Sequence, residues 1–332
     1  MTQLVGRRPV VAPSELIASL VPPPHFADAR FDTYKPDPAF PSQRAALDAV
    51  RGFAVGIRRP GRLLGGSGAS AGKGLYLDGG FGVGKTHLLA ALAHDVGRSA
   101  AFGTFVEYTH LVGALGFQAA RSALQEFSLV CIDEFELDDP GDTLLIARLM
   151  RELTDAGVAI AATSNTLPES LGEGRFAAED FRREIQAVAS VFSVVTIDGP
   201  DYRHRGDLAF VAADAADVAA VAGTDGGVVE EWGALVADLS HVHPSRIGAY
   251  VDGVRTLGLT GIGPLADQNQ ALRIVTLVDR LYDRDVRIVA SGAPLDAIFT
   301  PEMLRGGYRK KYFRALSRLA AMSASGPASP AS

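Results

Sequence analysis

Cysteine is almost missing from this sequence: Cys131 is the single thiol in 332 residues. One thiol excludes an intramolecular disulfide, and its place inside an apolar run predicts a buried, reduced side chain of the kind expected in the cytoplasm. Long hydrophobic runs are lacking too. No stretch approaches the ~20 residues that span a bilayer, and near the N-terminus only Leu16 to Val21 precede three prolines, so neither a membrane span nor a secretory signal is expected. Nor is there an excess of positive charge. Thirty-two Lys and Arg against 38 Asp and Glu give a net charge of −6 and a pI near 5.7, which offers no general attraction for nucleic acid or anionic lipid. What the chain does have is apolar material, 47% of its residues, enough for a large α/β domain and a smaller region without covalent staples.

Residues 1–73 divide into a proline-punctuated arm containing Phe31-Asp32-Thr33-Tyr34-Lys35-Pro36, a helix from Gln43 to about Ile57, and a Gly/Ser-rich loop over 61–73. A core over 74–210 follows. Short apolar runs at Leu75–Leu77, Thr104–Tyr108, Leu129–Ile132, Val158–Ala162 and Val191–Ile197 alternate with helical patterns, which predicts a parallel sheet covered by helices. Leu145, Leu149 and Leu153 supply the crossover helix between the third and fourth runs. Residues 211–229, rich in Ala, Gly and Asp, read as a linker or insertion loop, and 230–322 as a C-terminal α/β segment with further strands at Leu257–Ile262 and Val286–Ala290. Shifted by 128 positions, Leu149, Leu153, Val158 and Ile160 meet Leu277, Leu281, Val286 and Ile288, so one strand–helix–strand unit is repeated in pattern. The Ser-, Ala- and Pro-rich tail 323–332 is expected to be disordered.

Gly79-Gly80-Phe81-Gly82-Val83-Gly84-Lys85-Thr86 fits G-x-x-x-x-G-K-[ST] between a strand and an apolar helix, the context that a phosphate-binding loop requires. Its glycines let backbone N–H groups turn towards phosphate, and the helix N-terminus adds partial positive charge. Lys85 is expected on the β- and γ-phosphates of ATP and Thr86 on Mg²⁺. Leu129-Val130-Cys131-Ile132 ends in Asp133-Glu134. Asp133 is the candidate second Mg²⁺ ligand, and Glu134, on the other face of an extended chain end, the group that orients or deprotonates the attacking water. Val158–Ala162 emerges into Thr163-Ser164-Asn165, where Asn165 is placed to position that water. His87 reads as a structural histidine. The transferred phosphoryl group also calls for a cation, and Arg175, Arg182, Arg183, Arg203 and Arg205 are the candidates, with Arg182 and Arg183 favoured.

The run Gly74-Leu75-Tyr76-Leu77-Asp78-Gly79 to Leu89 resembles the AAA+-like ATPases called cell division protein ZapE. Phe31 to Tyr34 with Pro36, Asp37, Pro41, Ser42 and Gln43, then Asp201 to Arg205, Leu277 to Tyr282, and Phe313 to Leu319 with Met322, are similar to further motifs of that family. The resemblance implies a P-loop NTPase of the AAA+/ASCE kind with an arm that contacts adenine, a homo-oligomer in the ATP state, and remodelling of the FtsZ division polymer or another protein polymer at the division site. Arg314 or Arg318 would be its second sensor, against the alternative of a basic helix face. The chain departs from the family at Glu173-Gly174-Arg175 and Asp180 to Arg183, which leaves the finger arginine open. Two other readings stay open: a helicase-loader ATPase of the DnaC or IstB kind, and a nucleotide-gated scaffold.

Overall fold

Two sheets, one in each of two units, carry the fold. The computed structural model describes every residue except 1–2, 11, 59–73, 81, 137–139, 169–182, 184–185, 187–188, 200–212 and 325–332. The Gly/Ser-rich loop and nearly all of the tail are therefore outside the described residues. One unit comprises Ala12–Pro22 and Phe26–Tyr202; the other comprises Met1–Val11, Pro23–His25 and Arg203–Ser332. The arm thus does not belong to one unit: its first residues are counted with the C-terminal one.

In the first unit β1 (Gly74–Gly79), β2 (Ala100–Thr104), β3 (Leu129–Asp133), β4 (Ala159–Ser164) and β5 (Phe192–Ile197) form a parallel sheet in the order β2-β3-β4-β1-β5. Its helices are α1 (Pro13–Ala18), α2 (Pro41–Arg58), α3 (Lys85–Val96), α4 (Phe105–Leu115), α5 (Phe117–Leu124) and α6 (Pro140–Asp155). The two-residue period of the strands divides their side chains between two cores. Leu75, Leu77, Leu129, Cys131 and Ala161 pack with Leu47 and Val50 of α2 and with Leu88, Leu89 and Leu92 of α3. Tyr76, Val130, Ile132 and Ile160 pack with Leu111 of α4, Leu124 of α5 and Leu149 and Leu153 of α6. Burial on both faces is why β3 and β4 read as unbroken apolar runs. Cys131 is fully buried, which pushes its thiol well above the ordinary range.

One strand assignment is corrected. Thr104–Tyr108 is not a strand: β2 ends at Thr104, whose hydroxyl accepts the N–H of Glu107 while the Glu107 carboxylate accepts the N–H of Thr104. This capping box opens α4 and overrides the strand propensity of Phe105 and Val106.

The C-terminal unit holds β6 (Gly227–Glu231), β7 (Thr256–Ile262) and β8 (Arg287–Gly292), parallel and in that order. Residues 211–229 are not merely a linker. Asp214 caps a helix over Ala215–Ala220, and β6 begins at Gly227. Helix Gln268–Tyr282 crosses from β7 to β8 as α6 crosses from β3 to β4. Leu277, Leu281, Val286 and Ile288 are buried, as are their pattern partners Leu149, Leu153, Val158 and Ile160. Gly261 and Ile262 stand where Asp133 and Glu134 would, so the second crossover carries no acids there. Asp279 pins this helix to Arg309–Ala324 through Arg314, at 2.7 Å, and Arg318. Both candidate second sensors are thus salt-bridged inside this unit.

Candidate functional site

β1 ends at Gly79 and α3 begins at Lys85, so the glycine-rich loop passes directly from strand to helix. Gly84 is the N-cap of α3 at φ +89°, and a Cβ there would stand 2.5 Å from Cε2 of Tyr34. Only glycine takes this left-handed backbone and admits the ring without strain. The Tyr34 hydroxyl donates to the Val83 carbonyl at 2.9 Å, and burial raises its phenol above the ordinary range. Gln43 receives the N–H of Asp37 at 2.8 Å and donates to the carbonyl of Asp198 at 2.9 Å. The aromatic arm and the start of α2 are therefore fastened to the loop and to the end of β5.

Lys85 is only 9% exposed, and a buried ammonium needs acceptors. Its Nζ donates to the carbonyls of Gly79 at 2.8 Å and Gly80 at 2.6 Å, and to Oδ1 of Asn165 at 2.8 Å. Because β4 lies between β1 and β3, Asn165 at its exit sits between the loop and the acids. Its turn is tied down: Tyr76 Oη donates to the Thr166 carbonyl at 2.7 Å and the Thr166 N–H to Ser164 Oγ at 3.1 Å.

Thr86 Oγ1 donates to Oδ1 of the buried Asp133 at 3.2 Å. The Thr163 hydroxyl donates to the same oxygen and accepts the N–H of Glu134 at 3.1 Å. Glu134 is not extended as expected: it is left-handed, φ +54°. A non-glycine residue held there is strained, and such strain concentrates at functional positions. Phe135 anchors the turn. Its N–H donates to the Thr163 carbonyl at 2.7 Å, and its fully buried ring packs edge-on against Tyr76, Phe105 and Phe192.

The structure thus brings together Gly79, Gly80, Val83, Gly84, Lys85, Thr86, Asp133, Glu134 and Asn165. Phe81, Arg175, Arg182, Arg203 and Arg205 lie outside the described residues, as does the Asp201 to Arg205 motif; Arg183 is helical and exposed. His87 bonds Thr33 Oγ1 at 3.0 Å and the Arg30 carbonyl at 3.1 Å, a structural role. The sequence gives Thr163 no role and gives Tyr34 only a place in the aromatic arm. Thr163 was visible only as part of a polar strand exit, and the Tyr34–Val83 contact had no local signal.

A family model described as AFG1-like ATPase matches residues 10–220 and 221–326. The chain belongs to the AFG1-like ATPase family. It is 33% identical over 146 residues to cell division protein ZapE of Escherichia coli K12, covering 40% of this chain and 39% of that one. It is 27% identical over 228 residues to lactation elevated protein 1 homolog B of Danio rerio, covering 57% and 45%. The matches to these curated relatives thus span less than half of their length. Among solved structures it is similar to domain III of the Thermotoga maritima replication initiation protein DnaA, at a TM-score of 0.40 and 20% identity over 53% of this chain and 69% of that one. For the DnaC helicase loader the TM-score is 0.37 and the identity 19%, over 52% and 99%.

The AFG1-like chain has an oxygen donor pair, the Thr86 hydroxyl and the Asp133 carboxylate, within hydrogen-bond distance at the mouth of the phosphate loop. Hard Mg²⁺ takes such donors together with phosphate and water. Among the described residues no cluster of three or more His, Cys, Asp or Glu side chains could hold a metal ion. Among those same residues, no helix is long and apolar enough to cross a membrane.

Proposed function

We propose that the chain hydrolyses ATP with Mg²⁺ and uses the cycle to remodel a protein partner. The observation that carries this reading is the convergence of Lys85, Thr86, Asp133 and Asn165 through direct hydrogen bonds at one end of three neighbouring strands. Backbone N–H groups of Gly79 to Thr86, Phe81 among them, cradle the phosphates, and Lys85 exchanges its loop carbonyls for β- and γ-phosphate oxygens. Thr86 and Asp133 would hold Mg²⁺, which when bound would supply charge neutralisation to the phosphates. Glu134 orients the attacking water and accepts its proton, and Asn165 fixes the position of that water. Arg182 or Arg183 of a neighbouring copy meets the charge that develops on the transferred group, a reading favoured by the exposure of Arg183.

The partner reading rests on the ZapE relative and on the acidic balance of the chain. It names the FtsZ polymer, with the protein recruited from the cytoplasm to the division site. Sedimentation with FtsZ and GTP, run beside a single-stranded DNA titration at two salt concentrations, tests it. ATP-dependent co-sedimentation, absent for Lys85→Ala, with DNA binding lost at moderate salt, is expected. Tight ATP-dependent DNA binding without co-sedimentation would replace the remodeller with a helicase loader.

A further inference from the structure

Residues 4–8 enter the C-terminal unit as a ligand enters a cleft. Leu4 is fully buried in that unit's core, with Val5 partly buried against it. The N–H groups of Leu4 and Val5 both donate to Glu230 Oε1, the second at 3.2 Å. Gly6 turns the chain at φ +90° and donates its N–H to Asp238 Oδ2 at 3.1 Å. Arg8 then clamps Asp238 with two bonds, at 2.7 and 3.1 Å, while Arg7 donates to the carbonyls of Tyr250 at 2.8 Å and Asp252 at 3.1 Å.

The receiving residues come from β6, from helix Trp232–Leu239 and from helix Ile247–Tyr250. Glu230 is 6% exposed and Asp238 8%. Two carboxylates withdrawn from water cost several kcal/mol each unless donors meet them, and here backbone N–H groups and a guanidinium of the segment do so. The Tyr250 hydroxyl, at 2.9 Å from Asp238 Oδ2, holds the carboxylate in place. Burial alone would raise Asp238, yet the donors from Arg8, Gly6 and Tyr250 together hold it below the usual carboxylate range. The segment has no secondary structure beyond a turn, closed by the Arg7 N–H on the Leu4 carbonyl at 2.9 Å, and Gly6 and Arg8 are exposed. Gly6 and Arg8 thus give an incoming peptide an exposed edge at which to take over the bonds to Asp238 before Leu4 leaves its pocket.

We propose that this cleft is a peptide-recognition site for an apolar-x-Gly-basic-basic segment, that Leu4–Arg8 of the same chain is its resident occupant, and that the occupant exchanges on and off as a ligand does. Recognition is by backbone donors on Glu230, an apolar pocket for Leu4 and a bidentate carboxylate for Arg8, a mode that needs no secondary structure in the guest. The assignment is independent of the ATPase reading.

The test uses the full-length chain labelled with ¹⁵N, so that an added unlabelled peptide is silent, and follows amide exchange residue by residue. Excess synthetic peptide of residues 2–11 should accelerate exchange at Leu4 to Arg8 and leave Leu257 and Leu259 of β7 unchanged. The same peptide carrying Arg8→Glu should need about tenfold more for the same effect, since it loses a charge-assisted pair. In the chain itself Asp238→Asn should accelerate exchange at residues 4–8 alone. No displacement at a large peptide excess, or Asp238→Asn loosening β6 and β7 together with the segment, would overturn the proposal and make residues 4–8 a fixed part of the core.

Discussion

The Thr163 hydroxyl joins the two adjacent acids: it donates to Asp133 and accepts the backbone N–H of the strained Glu134. Thr163→Val keeps the shape and removes both bonds. ATP-analogue binding should stay near normal, whereas the Mg²⁺ concentration for half-maximal phosphate release should rise by about 10- to 100-fold, the usual cost of losing a group that orients a metal ligand. A Mg²⁺ titration of phosphate release checks this; an unchanged midpoint would mean that Asp133 is held without Thr163. The residues the sequence did single out share one property. Gly79 to Thr86, Asp133, Glu134 and Asn165 each lie in a local pattern, a glycine-rich loop or a polar exit from an apolar strand, so their chemistry is legible in a few neighbours. Thr163 and Tyr34 act through β3–β4 pairing and through a contact 49 residues away, which no window of sequence contains.

Elements were legible where one signal dominated. The unbroken apolar runs of β1, β3 and β4 left little alternative, and the leucine spacing of α6 marked its crossover. At Thr104 two signals competed. Phe105 and Val106 favour a strand, while Thr104 and Glu107 make a reciprocal cap, and the cap prevails because it satisfies otherwise orphaned helix donors. Thr104→Ala should therefore cost about 1 kcal/mol in urea unfolding; no change would mean that packing alone fixes the start of α4. The segment 211–229 hid a similar cap, Asp214 with Asp217, inside a composition that reads as loop. Asp279 shows the same point for pairing between helices. Burial pushes its carboxyl up, but the guanidiniums of Arg314 and Arg318 outweigh that and hold it below the usual range. Asp238 is likewise held low by Arg8 and its neighbours. Groups with depressed native pKa values stabilise the fold above their unfolded pKa of about 3.9, and that stability drains away as pH falls through the lower native values. Thermal melts should fall gently as pH drops below about 6.5, because burial, with Arg246 and Arg273, holds the His243 imidazole below its ordinary value, and steeply below about 4 as the two carboxylates protonate; a profile without the second, acid limb would mean that Asp238 and Asp279 are not held low.

For the whole molecule the proposed cycle requires more than one copy, because its arginine comes from a neighbour. Phosphate release per subunit should then rise with protein concentration, and an Arg182→Ala, Arg183→Ala double variant should bind ATP but turn it over slowly. Activity per subunit that stays flat across the association range would place the cation in the same chain. Partner and assembly were least legible in the sequence, since both depend on exposed surface, which carries no periodicity. The site itself gives the sharpest test. Lys85→Ala removes a phosphate contact, whereas Glu134→Gln keeps the loop, Thr86 and Asp133 intact and removes only the proton acceptor. The deciding measurement is fluorescent-ATP binding and phosphate release on the same preparations of the native chain and both variants. The account predicts that Lys85→Ala loses binding and that Glu134→Gln binds Mg-ATP as the native chain does while releasing phosphate at least about 100-fold more slowly. Near-normal phosphate release by Glu134→Gln would contradict it.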